Sequence, residues 1–386
     1  RQLMKLAPTK IKKLFTILAL LLGVTPFCSA QFYGDPPDQT HPWAIHDNNR
    51  PQPPRVEPAK SPGGAPSDAI VLFDGTVDSF KENWIHTNNK RKKDWKIQDG
   101  ALVSVGGAGS IASKAQFSDC QLHIEWSAPT KIVGSSQGRG NSGVFLMGKT
   151  EVQVLDNYNN PTYPDGFAGS IYGVMPPMAN PLKAPGQWQS YDIIFRRPIL
   201  KDGKVLDEGS MTVLVNGVVV QDSTPLEGGG GHRARSKPRA FPEKGPLSLQ
   251  DHGNPVRFRN IWYRELRKRP LEGGTDGKIS PEATTKKRAE IAASIRKDAQ
   301  TKQGKEKLLR LMESLYYQNH EEAYAEAEAL GEKFVYEVSD KPEGRKGDVM
   351  QLNNAVKYLV KHNIMPSDHP GIAAIKDLIE ENGWNK

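Results

Sequence analysis

The run Met211 to Val215, then Asn216-Gly217, then Val218 to Val220 constrains the fold of this chain more than any other stretch. Two apolar runs separated by two residues make a hairpin, and Asn-Gly tolerates the positive φ that both central positions of a type I′ turn require. The same alternation recurs elsewhere. After Cys120, Leu122, Ile124 and Trp126 point one way while Gln121, His123 and Glu125 point the other. Val144 and Leu146 oppose Phe145 and Met147, and Val152 and Val154 oppose Glu151 and Gln153, so Glu151 and Gln153 share a face. Leu247 and Leu249 oppose Ser248, Gln250 and His252, and Val256 to Tyr263 closes the series. Many short strands without intervening helices predict an antiparallel sandwich or jelly roll over residues 69–268. Pro225 to Pro246 interrupts the pattern with four consecutive glycines and with Arg233, Arg235, Lys237 and Arg239, and reads as a long mobile loop.

The flanks have different textures. Lys10, Lys12 and Lys13 precede an apolar stretch from Leu14 to Val24, with Ser29 and Ala30 beyond it, which predicts a signal peptide over 1–30 and an exported protein, periplasmic or extracellular. Met4 is the expected start, and the stretch is too short for a comfortable membrane span, which takes roughly 20 residues. No stable membrane insertion is expected after cleavage. Residues 31–68, rich in Pro, Asn, Gln and Asp, read as a flexible tether. From 276 onward the period becomes helical: Ser280-Pro281 is an N-cap with a first-turn proline, and Val349, Leu352, Val356 and Leu359 recur at helical spacing. A small all-α domain of about five helices is predicted over 276–386, a candidate docking module for a protein partner.

Charge excludes the first function it suggests. The net charge is +8, but five of the cations, Arg1, Lys5, Lys10, Lys12 and Lys13, lie in the first 30 residues, which carry no acid; their removal leaves +3. Lys90-Arg91-Lys92-Lys93 has no interleaved aromatics, so it predicts a solvated turn and no nucleic-acid partner. Cleavage after Ala30 would leave Cys120 alone, excluding an intrachain disulfide framework. Phosphate-loop, nucleophile-elbow and His-Glu-x-x-His motifs are missing from the sequence.

What remains is a polar face suited to a carbohydrate. Asn141, Glu151, Gln153 and Asp156 lie within sixteen residues, followed by Tyr158, Tyr163, Tyr172, Trp188 and Tyr191. Amides and carboxylates match sugar hydroxyls, and aromatic faces match C–H surfaces. An ordinary glycosidase would need a second carboxylate about 5.5 Å or more from the first. Glu151 and Asp156, five residues apart, have opposite parity in one strand unless a bulge or the strand end re-aims Asp156.

Leu72-Phe73-Asp74-Gly75, Trp95, Asp99-Gly100, Glu125-Trp126, Asn141-Ser142-Gly143-Val144-Phe145, Glu151 to Asp156, Tyr172-Gly173, Trp188, Asn216-Gly217, Gln250-Asp251-His252-Gly253 and Phe258-Arg259-Asn260-Ile261 occur in that order. In this the chain resembles the 3-keto-disaccharide hydrolase family, also described as 3-keto-glucoside lyase and 3-keto-2-hydroxy-glucal hydratase domains. It departs from the family pattern at Thr150, where Tyr is frequent, and at Gln189, where Asn is frequent. The resemblance implies an all-β concanavalin A-like jelly-roll sandwich, here with a C-terminal all-α domain, and a 3-keto sugar as substrate. A ketone at C3 acidifies the C2 hydrogen, so one base can remove it and expel the C1 substituent, and water can add back to give net hydrolysis. Glu151 is then the first candidate base and His252 its rival. Asn141, Gln153 and Gln250 would hold hydroxyls, with Asp156, Tyr172 and Trp188 completing the substrate site. Arg139, or a divalent metal ion held by Glu151, Asp156 and His252, would stabilise the enolate. The competing readings are a non-catalytic carbohydrate-binding module of the cell envelope and an envelope scaffold.

Overall fold

The computed structural model describes residues 29–385 apart from 227, 229, 236 and 238; the expected signal peptide lies outside them except for its last two residues. The chain divides into two units, Pro54–Lys268 and the combination of Arg1–Pro53 with Arg269–Lys386.

In the first unit the elements run β1 (Ile70–Phe73), α1 (Val77–Asn83), β2 (Trp84–His86), β3 (Lys96–Gln98), β4 (Ala101–Val103), β5 (Ile111–Phe117), β6 (Cys120–Ser127), β7 (Asn141–Leu146) and β8 (Thr150–Leu155). They continue through β9 (Gln189–Arg196), β10 (Ile199–Lys201), β11 (Lys204–Asp207), β12 (Ser210–Val215), β13 (Val218–Pro225), β14 (Gly245–Leu249) and β15 (Arg257–Glu265). One sheet of eight strands has the order β13-β12-β9-β6-β15-β4-β3, with β1 also on β15, and a second of five has the order β2-β5-β14-β7-β8. The strand alternation decides which side chains lie between them. Leu122, Ile124 and Phe258 of the larger sheet meet Val144, Leu146, Val152, Val154, Leu247 and Leu249 of the smaller one in a single buried cluster. The hairpin forms as its dipeptide requires: Val215 pairs with Val218, and Asn216 and Gly217 take φ of 52° and 80°.

The second unit carries α2 (Pro281–Ala299), α3 (Gly304–Tyr317), α4 (Glu321–Asp340), α5 (Lys346–Lys361) and α6 (Pro370–Glu381). Ser280 caps α2 through the Ala283 N–H at 3.2 Å, and Pro281 occupies the first helical position, where no amide hydrogen is needed.

The stretch 31–68 is not the free tether its composition suggests. Its first part packs into the helical unit, where Phe32, Trp43 and Ala44 join the core and Gln31 is buried. Asp47 accepts the Tyr317 hydroxyl, while Asn49 donates to Glu313 at 2.8 Å and accepts from Arg310 at 3.0 Å. Arg310 and Glu313 are buried and paired with each other, so Asn49 satisfies capacity that the ion pair alone leaves open. Asn49→Ala should therefore lower stability by about 1–3 kcal/mol, read as a shifted denaturation midpoint of the helical signal. An unstructured tether would give no change. The later part is latched to the β unit: the Gly63 carbonyl accepts from Asn260 Nδ2 at 2.8 Å and Trp262 Nε1 at 2.9 Å, and Asp68 pairs with Arg264.

Candidate active site

Because Val144, Val152 and Leu249 enter the core, Gly143, Phe145, Glu151, Gln153, Ser248 and Gln250 lie on the outer face of the five-stranded sheet. Register aligns them in two rows. Ser248 pairs with Phe145 and Phe145 with Glu151; one step along, Gly143 pairs with Gln153, and the Gln250 N–H donates to the Gly143 carbonyl at 3.1 Å. From behind, the Tyr191 hydroxyl of the other sheet donates to the Gln153 carbonyl at 2.7 Å, fixing β8 at this point.

Glu151 leans over Gly143. A Cβ at residue 143 would overlap the Glu151 carboxylate and stand 2.7 Å from Phe145 Cε2, so only glycine leaves room for the acid in this position. Burial pushes the Glu151 carboxyl up to about 8, and no cation among the described residues offsets it. The Gln153 amide nitrogen donates to Gln137 Oε1 at 3.0 Å, or, with the amide turned over, to the Ser142 carbonyl at 3.0 Å and Glu151 Oε1 at 3.2 Å.

The amides form a cluster that extends beyond the predicted set. Asn141 Nδ2 donates to the Gln137 carbonyl at 2.8 Å, the Gln137 and Gln153 side-chain amides meet at 3.0 Å, and Asn254 Oδ1 accepts from the Asn141 N–H at 3.3 Å. The Gln250 side chain has no hydrogen-bond partner among the described residues, which leaves its amide open on this face. Gln137 and Asn254 escaped the sequence reading because one lies in a single 3-10 turn and the other in a loop, where no strand alternation assigns a face. Next to β8, the Tyr172 N–H donates to the Glu151 carbonyl at 3.1 Å, and its hydroxyl lies 2.8 Å from Tyr163 Oη and 3.1 Å from His232 Nδ1. Burial first, then its bond to Tyr163, raise the Tyr172 phenol above its ordinary value, with the nearby Glu151 charge adding to the shift.

Four predicted members behave differently. Arg139 and Asp156 are both buried and are spent on each other, with Arg139 Nε on Asp156 Oδ2 at 2.9 Å and Nη2 on the same oxygen. Asp156 lies past the end of β8, which is how it escapes strand parity. Trp188 lies under Arg259 and Arg257, whose guanidinium carbons stand 4.1 and 5.0 Å from its ring centre. These arginines flank the core residue Phe258, so Trp188 belongs to the outer face of the eight-stranded sheet, across the sandwich from Glu151. His252 is exposed in the loop after β14 and has no hydrogen bond or ion pair among the described residues. Its neighbour Asp251 is structural: it accepts the Gly107 and Gly109 N–H groups, each at 2.9 Å, and closes that glycine turn. Glu151, Asp156 and His252 form no metal cage; among the described residues no three His, Cys, Asp or Glu side chains converge as metal ligands. The Arg139 guanidinium already neutralises Asp156, so that carboxylate is not free to bind a cation.

These features define a class, an antiparallel β-sandwich with an amide-lined outer face built around one uncompensated acid. A family model described as the 3-keto-alpha-glucoside-1,2-lyase-like domain matches residues 68–264. The chain belongs to this family. A 3-keto-disaccharide hydrolase of Bacteroides thetaiotaomicron is 25% identical over 248 residues, which cover 51% of this chain and 78% of that protein. A crystal structure of a candidate glycosyl hydrolase from Parabacteroides distasonis superimposes with a TM-score of 0.51 at 45% identity, over 56% of this chain and 93% of that one.

Proposed function

We propose that this protein is an exported enzyme that cleaves the glycosidic bond of 3-keto-glycosides by base-assisted elimination across C1 and C2 followed by rehydration. The observation that carries the reading is Glu151: one carboxyl on an amide-lined face, raised to about 8 by burial. Ser248, Phe145, Gly143, Gln153 and Gln250, its neighbours in register, supply no second acid. A single base suffices when a C3 ketone acidifies the C2 hydrogen, and a base with a pKa near the working pH balances proton affinity against the fraction ionised. Family membership and the named relatives support the substrate class. Export rests on the basic-then-apolar pattern before Ala30. A concanavalin A-like jelly-roll connectivity, and docking of a partner by the helical unit, belong to the same proposal.

In this mechanism the Glu151 carboxylate takes the C2 proton. Gln250 donates to the enolate oxygen, a role that neither Arg139, held by Asp156, nor Gln153, buried with its amide nitrogen already bonded, is free to take. The Tyr172 hydroxyl protonates the departing oxygen at C1. Water then adds across the enol ether. The test compares 3-keto-trehalose with trehalose: glucose released from the keto sugar alone supports the enzyme, and tight binding without turnover of any keto sugar leaves a carbohydrate-binding module instead. Gly143→Ala should reduce kcat/KM about 100-fold, since displacing a base by roughly 1 Å has that order of effect. An unaltered melting temperature beside that loss would show that the acid moved while the fold held, whereas unchanged kcat/KM would remove Glu151 from the chemistry.

A further inference from the structure

A cavity of about 460 Å³ opens beside Tyr172 and is lined by Tyr163, Asp165, Tyr172, His232, Arg233 and Arg235. One wall is the tyrosine pair, joined to Glu151 through the Tyr172 backbone. The other is a tight turn in which Gly231 bridges to Ala234 and Arg233 takes a φ of 56°, a conformation uncommon for a residue with a long side chain. The loop is held close because Gly230, having no Cβ, packs against the Tyr172 carbonyl. His232 ties the two walls together through the Tyr172 hydroxyl at 3.1 Å.

The arginines of this loop divide by what they touch. Arg239 is satisfied by the carbonyls of Gly228 and Lys149, each at 2.7 Å. Arg233 and Arg235 line the cavity and have neither an ion pair nor a hydrogen bond among the described residues. Among the described residues Asp165 is the one acid of the lining, and the two guanidiniums outnumber it. A guanidinium presents paired N–H groups that match the two oxygens of a carboxylate. We infer that this cavity is a subsite for a carboxylate carried by the sugar, so that the substrates are acidic glycosides of the uronic-acid type. The inference rests on the reading of the Glu151 face as a sugar site, and it adds which sugars that site selects.

The test measures binding without turnover. The full chain is titrated calorimetrically with the 4-nitrophenyl glucuronides and glucosides of both anomers, at pH 7 and low salt. The glucuronide of one anomer should bind about tenfold or more tightly than its glucoside, one charge-assisted contact being of that order. The preference should collapse in the Arg233→Gln/Arg235→Gln double variant and weaken in about 0.5 M salt, where exposed charges are screened. Equal affinities, no glucuronide binding, or a preference that survives the double substitution would overturn the subsite. Because these glycosides carry no ketone, the two claims fail separately. Loss of the preference with glucose still released from 3-keto-trehalose removes the subsite alone. A preference without keto-sugar turnover removes the reaction alone.

Discussion

Glu151→Gln should abolish turnover of a 3-keto-glycoside, by about 100- to 10,000-fold in kcat/KM, and at the same time raise the melting temperature above pH 8. The two effects share one cause. Burial holds the carboxyl near 8, against a reference of 4.5. The folded chain thus keeps a proton that the unfolded chain has already released. The penalty is absent below pH 4.5, grows between 4.5 and 8 and is complete above 8, where it is on the order of 4 kcal/mol. Glutamine is similar in shape and carries no charge to desolvate. The variant should therefore match the wild type in stability at pH 4 and exceed it by several degrees at pH 9. In the active enzyme the same titration makes kcat/KM rise with pH through about 8, since the base works ionised. His252→Ala should cost far less than Glu151→Gln, because His252 is exposed and unanchored; the reverse order would make His252 the base.

The second large effect lies behind the site. Arg139→Ala should destabilise the β unit by about 3–5 kcal/mol, because it leaves Asp156 buried with its charge uncompensated. Arg139→Met combined with Asp156→Leu should recover most of that loss, since two apolar side chains need no partner. Urea denaturation of the single and double variants measures both. A single variant within about 0.5 kcal/mol of the wild type would mean that the pair is dispensable. This pair secures the chain just before β7 and just after β8, and so holds the two ends of the hairpin that carries Asn141, Glu151 and Gln153.

The hairpin face was legible in the sequence because a strand has a period of two: once Val152 and Val154 are taken as core, Glu151 and Gln153 must look the other way. The same rule left Asp156 ambiguous, and the structure resolves it through Arg139, seventeen residues upstream, a pairing that local periodicity does not encode. Trp188 was misplaced for a related reason. Alternation assigns a residue to the inside or outside of a sheet, but not to one sheet or the other, and strand order settled that. The stretch from Gln31 to Pro53 misled through its average composition. A few apolar residues, Phe32, Trp43 and Ala44, with Asp47 and Asn49, fit a surface on the helices that exists only after folding. The desolvation of Glu151 was likewise invisible, since it depends on Gly143 and Phe145 in the neighbouring strand.

The central claim is that Glu151 removes the proton from C2. Turning over 3-keto-trehalose in deuterium oxide, and following the released 3-keto-glucose by NMR during the first turnovers, tests it directly. The account predicts deuterium at C2 beyond that of an enzyme-free control, lost together with turnover in Glu151→Gln. Product that retains its original hydrogen at C2 would contradict it.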